Sequence, residues 1–134
     1  MQRAHFDALL LRTPLLAGMD LDSRDRLVSH FVPHPFAKGE PILRAGDPGR
    51  HLAIVLDGQA VVHARKDDQA YKVDLLGVGE VFGEIAFFDA ESQRTADVIG
   101  ETDGLVALLP WSAYESLARV GDPAGEVLEK AVLD

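Results

Sequence analysis

The sequence predicts a mainly β protein: a jelly-roll-like β-roll (a double-stranded β-helix) with helices before it and two helices after it. Nine glycines between positions 39 and 104 divide that stretch into short runs rich in Val, Ile and Leu. The runs recur at intervals of about 8–12 residues, the rhythm of rolls and barrels rather than of alternating strand–helix units. Helical patterns, with apolar residues three and four apart, are confined to the stretches before Pro33 and after Pro110.

Taken in order, a helical pattern from Phe6 to Arg12 stops at Thr13-Pro14, where proline removes a donor and clashes with the preceding turn. Asp22-Ser23 offers the cap of a second helix whose apolar stripe is Leu27, Val28 and Phe31, and Pro33 and Pro35 end that stretch. The expected strands are Pro41–Arg44, Leu52–Leu56, Ala60–His63, Tyr71–Leu76, Val98-Ile99 and Leu105–Leu109. Asp57-Gly58 and Lys66-Asp67-Asp68-Gln69 are the expected hairpin turns, because Asp and Gly tolerate positive φ. The apolar run Ile85–Phe88 is too short for an ordinary helix and reads as a single turn starting near Ile85. Ser112 with Glu115 forms the pattern of a capping box ahead of Leu117 and Ala118. Asp122-Pro123 supplies a cap and a first-turn proline for a last helix, with Val127, Leu128, Ala131 and Val132 on one face. That stripe needs a partner: the roll itself, the simpler choice, or a second subunit. Trp111 is expected to anchor the core where the roll closes. The division is one domain over residues 1–134, with N-terminal helices over 1–30, the roll over 31–110 and C-terminal helices over 111–134.

Composition narrows the function. With 22 acids against 13 bases the formal charge is −9, which repels a phosphate backbone and argues against direct nucleic-acid binding. The absence of cysteine excludes disulfides, thiolate metal sites and a cysteine nucleophile. No apolar run approaches the roughly 20 residues of a membrane span, and Leu9–Leu11 is too short for the core of a signal peptide. The expected location is cytoplasmic, without membrane insertion. Histidines 5, 30, 34, 51 and 63 show neither H-x-H nor H-E-x-x-H spacing, and no serine stands in a G-x-S-x-G elbow. A metal-dependent enzyme on a similar roll needs two close histidines and a carboxylate on the strands, where only His63 stands. The glycines of Gly77-Val78-Gly79 read as turns, not as a dinucleotide fingerprint. The expectation is a protein that is not an enzyme and uses neither metal nor cofactor.

One stretch carries chemistry: residues 82–96, where Gly83-Glu84 precedes the short apolar run and Arg94-Thr95 follows a polar loop. An isolated acid–base pair reads first as a salt bridge of little worth. A second reading is a nucleotide pocket, in which a carboxylate accepts sugar hydroxyls and a guanidinium forks onto phosphate. Gly83 permits close approach of a ligand, Thr95 adds a hydroxyl, and free N–H groups at the start of a turn near Ile85 point at the same anion.

The motifs Phe82-Gly83-Glu84-Ile85-Ala86 and Arg94-Thr95-Ala96 resemble the phosphate-binding cassette of cyclic nucleotide-binding domains. Such domains occur in bacterial catabolite-activator-type regulators, cyclic-nucleotide-dependent kinases and gated channels. Lys38-Gly39-Glu40, Ala45-Gly46-Asp47 and Ile54-Val55-Leu56-Asp57-Gly58 stand in the family's order, and the resemblance runs from about Leu15 through Leu128. Gln93, where kinases and channels often carry proline, is closer to the bacterial type.

The resemblance implies that Glu84 accepts the ribose 2′-hydroxyl, that Arg94 pairs with the cyclic phosphate, and that N–H groups of Ile85 and Ala86 and the Thr95 hydroxyl complete the anion site. Gly83 would admit the sugar, and Val62, Val73 and Leu76 would line the base. The implied ligand is cAMP in preference to cGMP, and the implied role is a regulatory module that signals through its C-terminal helices. No residues follow for a DNA-binding domain, so the chain is expected to be a free-standing sensor or a piece of a longer protein, working as a homodimer or with a fused or associated effector. The competing expectation is a degenerate roll that binds no nucleotide and serves in protein interaction or dimerisation.

Overall fold

A computed structural model describes residues 2–46, 50–89 and 96–133, and of Arg65 the backbone alone. Three helices come first: α1 (Arg3–Leu11), α2 (Pro14–Ala17) and α3 (Leu21–Val28). The strands are β1 (Val32–Phe36), β2 (Pro41–Leu43), β3 (His51–Asp57), β4 (Ala60–Lys66), β5 (Gln69–Leu76) and β6 (Val81–Phe82), then β7 (Ala96–Gly100) and β8 (Gly104–Pro110). A five-residue helix, α4 (Glu84–Phe88), interrupts them, and α5 (Trp111–Arg119) and α6 (Pro123–Leu133) follow. The strands pair antiparallel in two four-stranded sheets, ordered β1-β8-β3-β6 and β2-β7-β4-β5. Two antiparallel sheets with helices before and after them make the mainly β roll that the sequence predicts.

Burial explains the two kinds of strand. Leu52, Ile54 and Leu56 of β3 join Leu105, Ala107 and Leu109 of β8 in the core shared with the helices, while Ala53, Val55 and Val106 face the roll interior. A strand buried on both faces reads as a continuous apolar run, as Leu52–Leu56 does. Strand β5 is exposed from Gln69 to Leu75, so the helices cover one sheet and leave the other open to solvent. Pro33 and Pro35 lie within β1, which pairs only with β8 at the sheet edge, where proline is tolerated.

Several local expectations need correction. The cap of α3 is Asp20, whose Oδ2 accepts the Ser23 N–H at 3.1 Å, not Asp22-Ser23. Pro14 both ends the first pattern and opens α2. Asp57-Gly58 is not a hairpin turn: β3 and β4 belong to different sheets, and the chain turns a corner there, with Gly58 at φ 78° and its Cα facing the Asp103 carbonyl too closely for a Cβ. The other turn is a hairpin. Asp67 and Asp68 adopt φ 54° and 64° between the paired Lys66 and Gln69, the signs that a two-residue type I′ connection requires. The capping box at Ser112 and Glu115 does not form. Helix α5 already begins at Trp111 after Pro110, and Glu115 pairs instead with Arg119 one turn on.

Asp122 does cap α6, its Oδ1 accepting from Ala124 N–H at 2.9 Å. Its other oxygen lies 3.5 Å from Arg26 of α3. Helix α6 packs on α3, α5 and α4 rather than on the sheets of the roll, and of its expected stripe Leu128 is buried, Val127 and Val132 are half-buried and Ala131 is exposed. None of the helices among the described residues is long and apolar enough to cross a membrane.

Candidate functional site

The chain's signature stretch begins where β6 ends. Gly83 sits at φ 81°, ψ 5°, a left-handed conformation costly for any residue with a Cβ, and from it α4 starts at Glu84, one residue ahead of the expected Ile85. The first hydrogen bond of α4 runs from Phe87 N–H to Gly83 C=O at 3.1 Å. The N–H groups of Glu84, Ile85 and Ala86 precede it and have no intrahelical acceptor.

Those N–H groups border a cavity of about 290 Å³ lined by Gly83, Glu84, Ile85 and Ala86 at one side. The opposite wall comes from the solvent-facing sheet, with Val62, Leu76, Leu43 and Val98 presenting apolar surface. The size suits a small ligand. Six of the nine residues singled out from the sequence therefore meet here: Gly83, Glu84, Ile85, Ala86, Val62 and Leu76. Arg94 and Thr95 lie outside the described residues, and Ala96, the next residue along, lines the cavity.

Val73 does not line the cavity. Its side chain is 57% exposed, and Asp74 takes the place at the wall. The pairing of β4 with β5 slips at this point, with Val62 opposite Asp74 but His63 opposite Lys72, which leaves Val73 as the extra residue of a bulge. Residues two apart share a face, so Asp74, not Val73, goes with Leu76.

The described lining is apolar apart from two carboxylates, Glu84 and Asp74. Among the described lining residues, positive potential for an anion comes only from the N–H groups opening α4.

A second relationship links this site to the helices. Arg50, just before β3, donates from Nε to the Ala86 carbonyl at 3.0 Å and from Nη2 to the Phe87 carbonyl. The same guanidinium lies over the Trp111 ring, 3.7 Å from its centroid, and the Trp111 N–H donates to the Arg50 carbonyl at 3.0 Å. Fully buried Phe87 carries the contact further, meeting Trp111 at 5.5 Å and Tyr114 at 5.6 Å in edge-on geometry. Trp111 thus anchors the junction of roll and helices, as expected. Tyr114 in turn donates to Glu129 Oε2 of α6 at 3.0 Å. Burial, then the Glu129 hydrogen bond and charge, push its phenol up to about 12. Nothing in the sequence singled out Arg50, since its role depends on a neighbour 61 positions away.

Comparison with known proteins places these features. Residues 33–120 match the cyclic nucleotide-binding domain family. The chain is 31% identical over 108 residues to the cyclic AMP receptor protein of Thermus thermophilus, covering 80% of this chain and 50% of that protein. It is 26% identical over 122 residues to a cAMP-dependent protein kinase regulatory subunit of Pyricularia oryzae, covering 91% of this chain and 30% of that one. Among solved structures, the regulatory domain of Toxoplasma gondii PKA, co-crystallised with cAMP, superposes with a TM-score of 0.76 at 28% identity, covering 97% of this chain and 49% of that chain. The chain spans about half the length of the first of these curated relatives and under a third of the second. By the extent of that match and by its fold, the chain belongs to the cyclic nucleotide-binding domain family.

Proposed function

We propose that the cavity between α4 and the open sheet binds a cyclic nucleotide, cAMP in preference to cGMP, and that the chain is a regulatory module rather than an enzyme. The observation that carries this reading is the coincidence of Gly83, Glu84 and the N–H groups of Ile85 and Ala86, which have no intrahelical acceptor, along one side of a cavity of about 290 Å³. The cyclic phosphate sits against those N–H groups and is neutralised by Arg94, with Thr95 donating a hydroxyl. Glu84 accepts the ribose 2′-hydroxyl, and the apolar wall at Val62 and Leu76 meets the base. The printed names of the relatives, a cyclic AMP receptor protein and cAMP-dependent kinase subunits, support the choice of cAMP.

Binding tightens residues around α4, and Arg50 and Phe87 pass the change to α5 and α6. A ligand shifts that equilibrium only by its unequal affinity for the two arrangements. The output partner is a second copy or an effector domain, fused or associated.

Calorimetric titration of nucleotide-free protein tests the assignment. Replacing Arg94 by Ala is expected to weaken cAMP binding by about 2–5 kcal/mol, the cost of leaving a buried anion without its charged partner. Unchanged affinity in Arg94→Ala removes that residue from the site. Flat traces of the wild-type protein with both cAMP and cGMP favour the degenerate interaction domain instead.

A further inference from the structure

We propose that Asp74 reads the base of the bound nucleotide, accepting a hydrogen bond from the 6-amino group of adenine and repelling the 6-carbonyl of guanine at the same place. The inference rests on the reading just given, with the sugar-phosphate at α4 and the base toward the strands. On that side Val62, Leu76 and Val98 offer only apolar surface, which holds the faces of a base but cannot distinguish its edges. Asp74 is the one polar side chain that the strands contribute among the described lining residues. Its register partner is Val62, and Leu76 follows two residues later on the same face, so the carboxylate stands beside the surfaces that hold the ring.

An ionised carboxylate only accepts hydrogen bonds. One oxygen of Asp74, Oδ1, already accepts the Leu75 N–H at 2.9 Å, and the carboxylate keeps acceptor capacity for the base. Adenine presents an amine at its 6-position and guanine a carbonyl oxygen. Against the first the carboxylate gains a bond; against the second two acceptors face each other, an unfavourable contact that sharpens selectivity. Strand alternation back from buried Leu76 sets this arrangement, and the bulge leaves Val73 outside it.

The test is calorimetric titration of the whole chain with cAMP, cGMP and the 3′,5′-cyclic monophosphate of purine riboside, which lacks the 6-substituent. Asp74 is exposed on its strand, so Asp74→Ala and Asp74→Asn are expected to fold, and circular dichroism checks that they do. Asp74→Ala should lose about tenfold in cAMP affinity, the lower range for a hydrogen bond to a charged group, and nothing for the unsubstituted purine. Asp74→Asn, whose amide also donates, should narrow the preference for cAMP over cGMP. Equal cAMP affinity in wild type and Asp74→Ala overturns the base assignment alone. Failure of the wild-type chain to bind any of the three overturns the underlying reading of the cavity, and the proposal with it.

Discussion

The guanidinium of Arg50 lies 3.7 Å from the centre of the Trp111 ring while it donates to the carbonyls of Ala86 and Phe87. One side chain therefore holds the end of the cassette helix and the start of the first helix after the roll. The backbone completes the link, since Trp111 N–H donates to the carbonyl of the same arginine. A shift of α4 toward a bound phosphate cannot leave Trp111 undisturbed unless these contacts break.

Arg50→Ala should destabilise the protein by about 2 kcal/mol, from two charge-assisted bonds and one cation–π contact at a half-buried site. Chemical denaturation measures it. Arg50→Lys should recover only part, because an ammonium lacks the planar fork that reaches two carbonyls and stacks on the indole.

Trp111 is the single tryptophan, so its emission reports this junction directly. Saturating cAMP should change the emission of the wild-type protein, and the change should shrink in Arg50→Ala even where nucleotide still binds. An identical spectral response in both proteins would show that the arginine takes no part in the relay.

The bond between Tyr114 and Glu129 makes α5–α6 docking sensitive to alkali. The folded phenol keeps its proton up to about 12, against an ordinary value of 10.0. Its contribution is complete below pH 10 and is lost as pH rises from 10 toward 12. Stability measured across that window should fall more steeply for wild type than for Tyr114→Phe. At the other extreme, the backbone N–H of Ser23 lowers the pKa of Asp20 below 3.8, so its cap on α3 persists above 3.8 and is lost on further acidification.

Much of this molecule was legible in advance, and the failures have physical causes. The hairpin at Asp67-Asp68 followed from local turn chemistry, but both residues pay for left-handed backbone. Asp68→Gly should stabilise the protein by about 1 kcal/mol, the relief of one non-glycine residue at positive φ, as thermal melting can show. Asp57-Gly58 carried the same local signal and yet turns a corner between sheets, because pairing partners are chosen by contacts distant in sequence. The capping box failed because Pro110 had already set the helix start. The cassette was readable from Gly83-Glu84 and its resemblance to the family. Val73 stands outside the cavity because it is the extra residue of a bulge and Asp74 shares the face of Leu76, and the Arg50–Trp111 contact spans too much chain for any local pattern to announce it.

The central claim is that the N–H groups opening α4 hold the phosphate of a cyclic nucleotide. Amide NMR of the 15N-labelled chain during titration with cAMP tests it most directly. The account predicts that Ile85 and Ala86 show the largest shifts and that Trp111 moves with them at the same ligand concentration. Amides of Ile85 and Ala86 that stay in place at saturating cAMP, with any shifts confined to other surfaces, would contradict it.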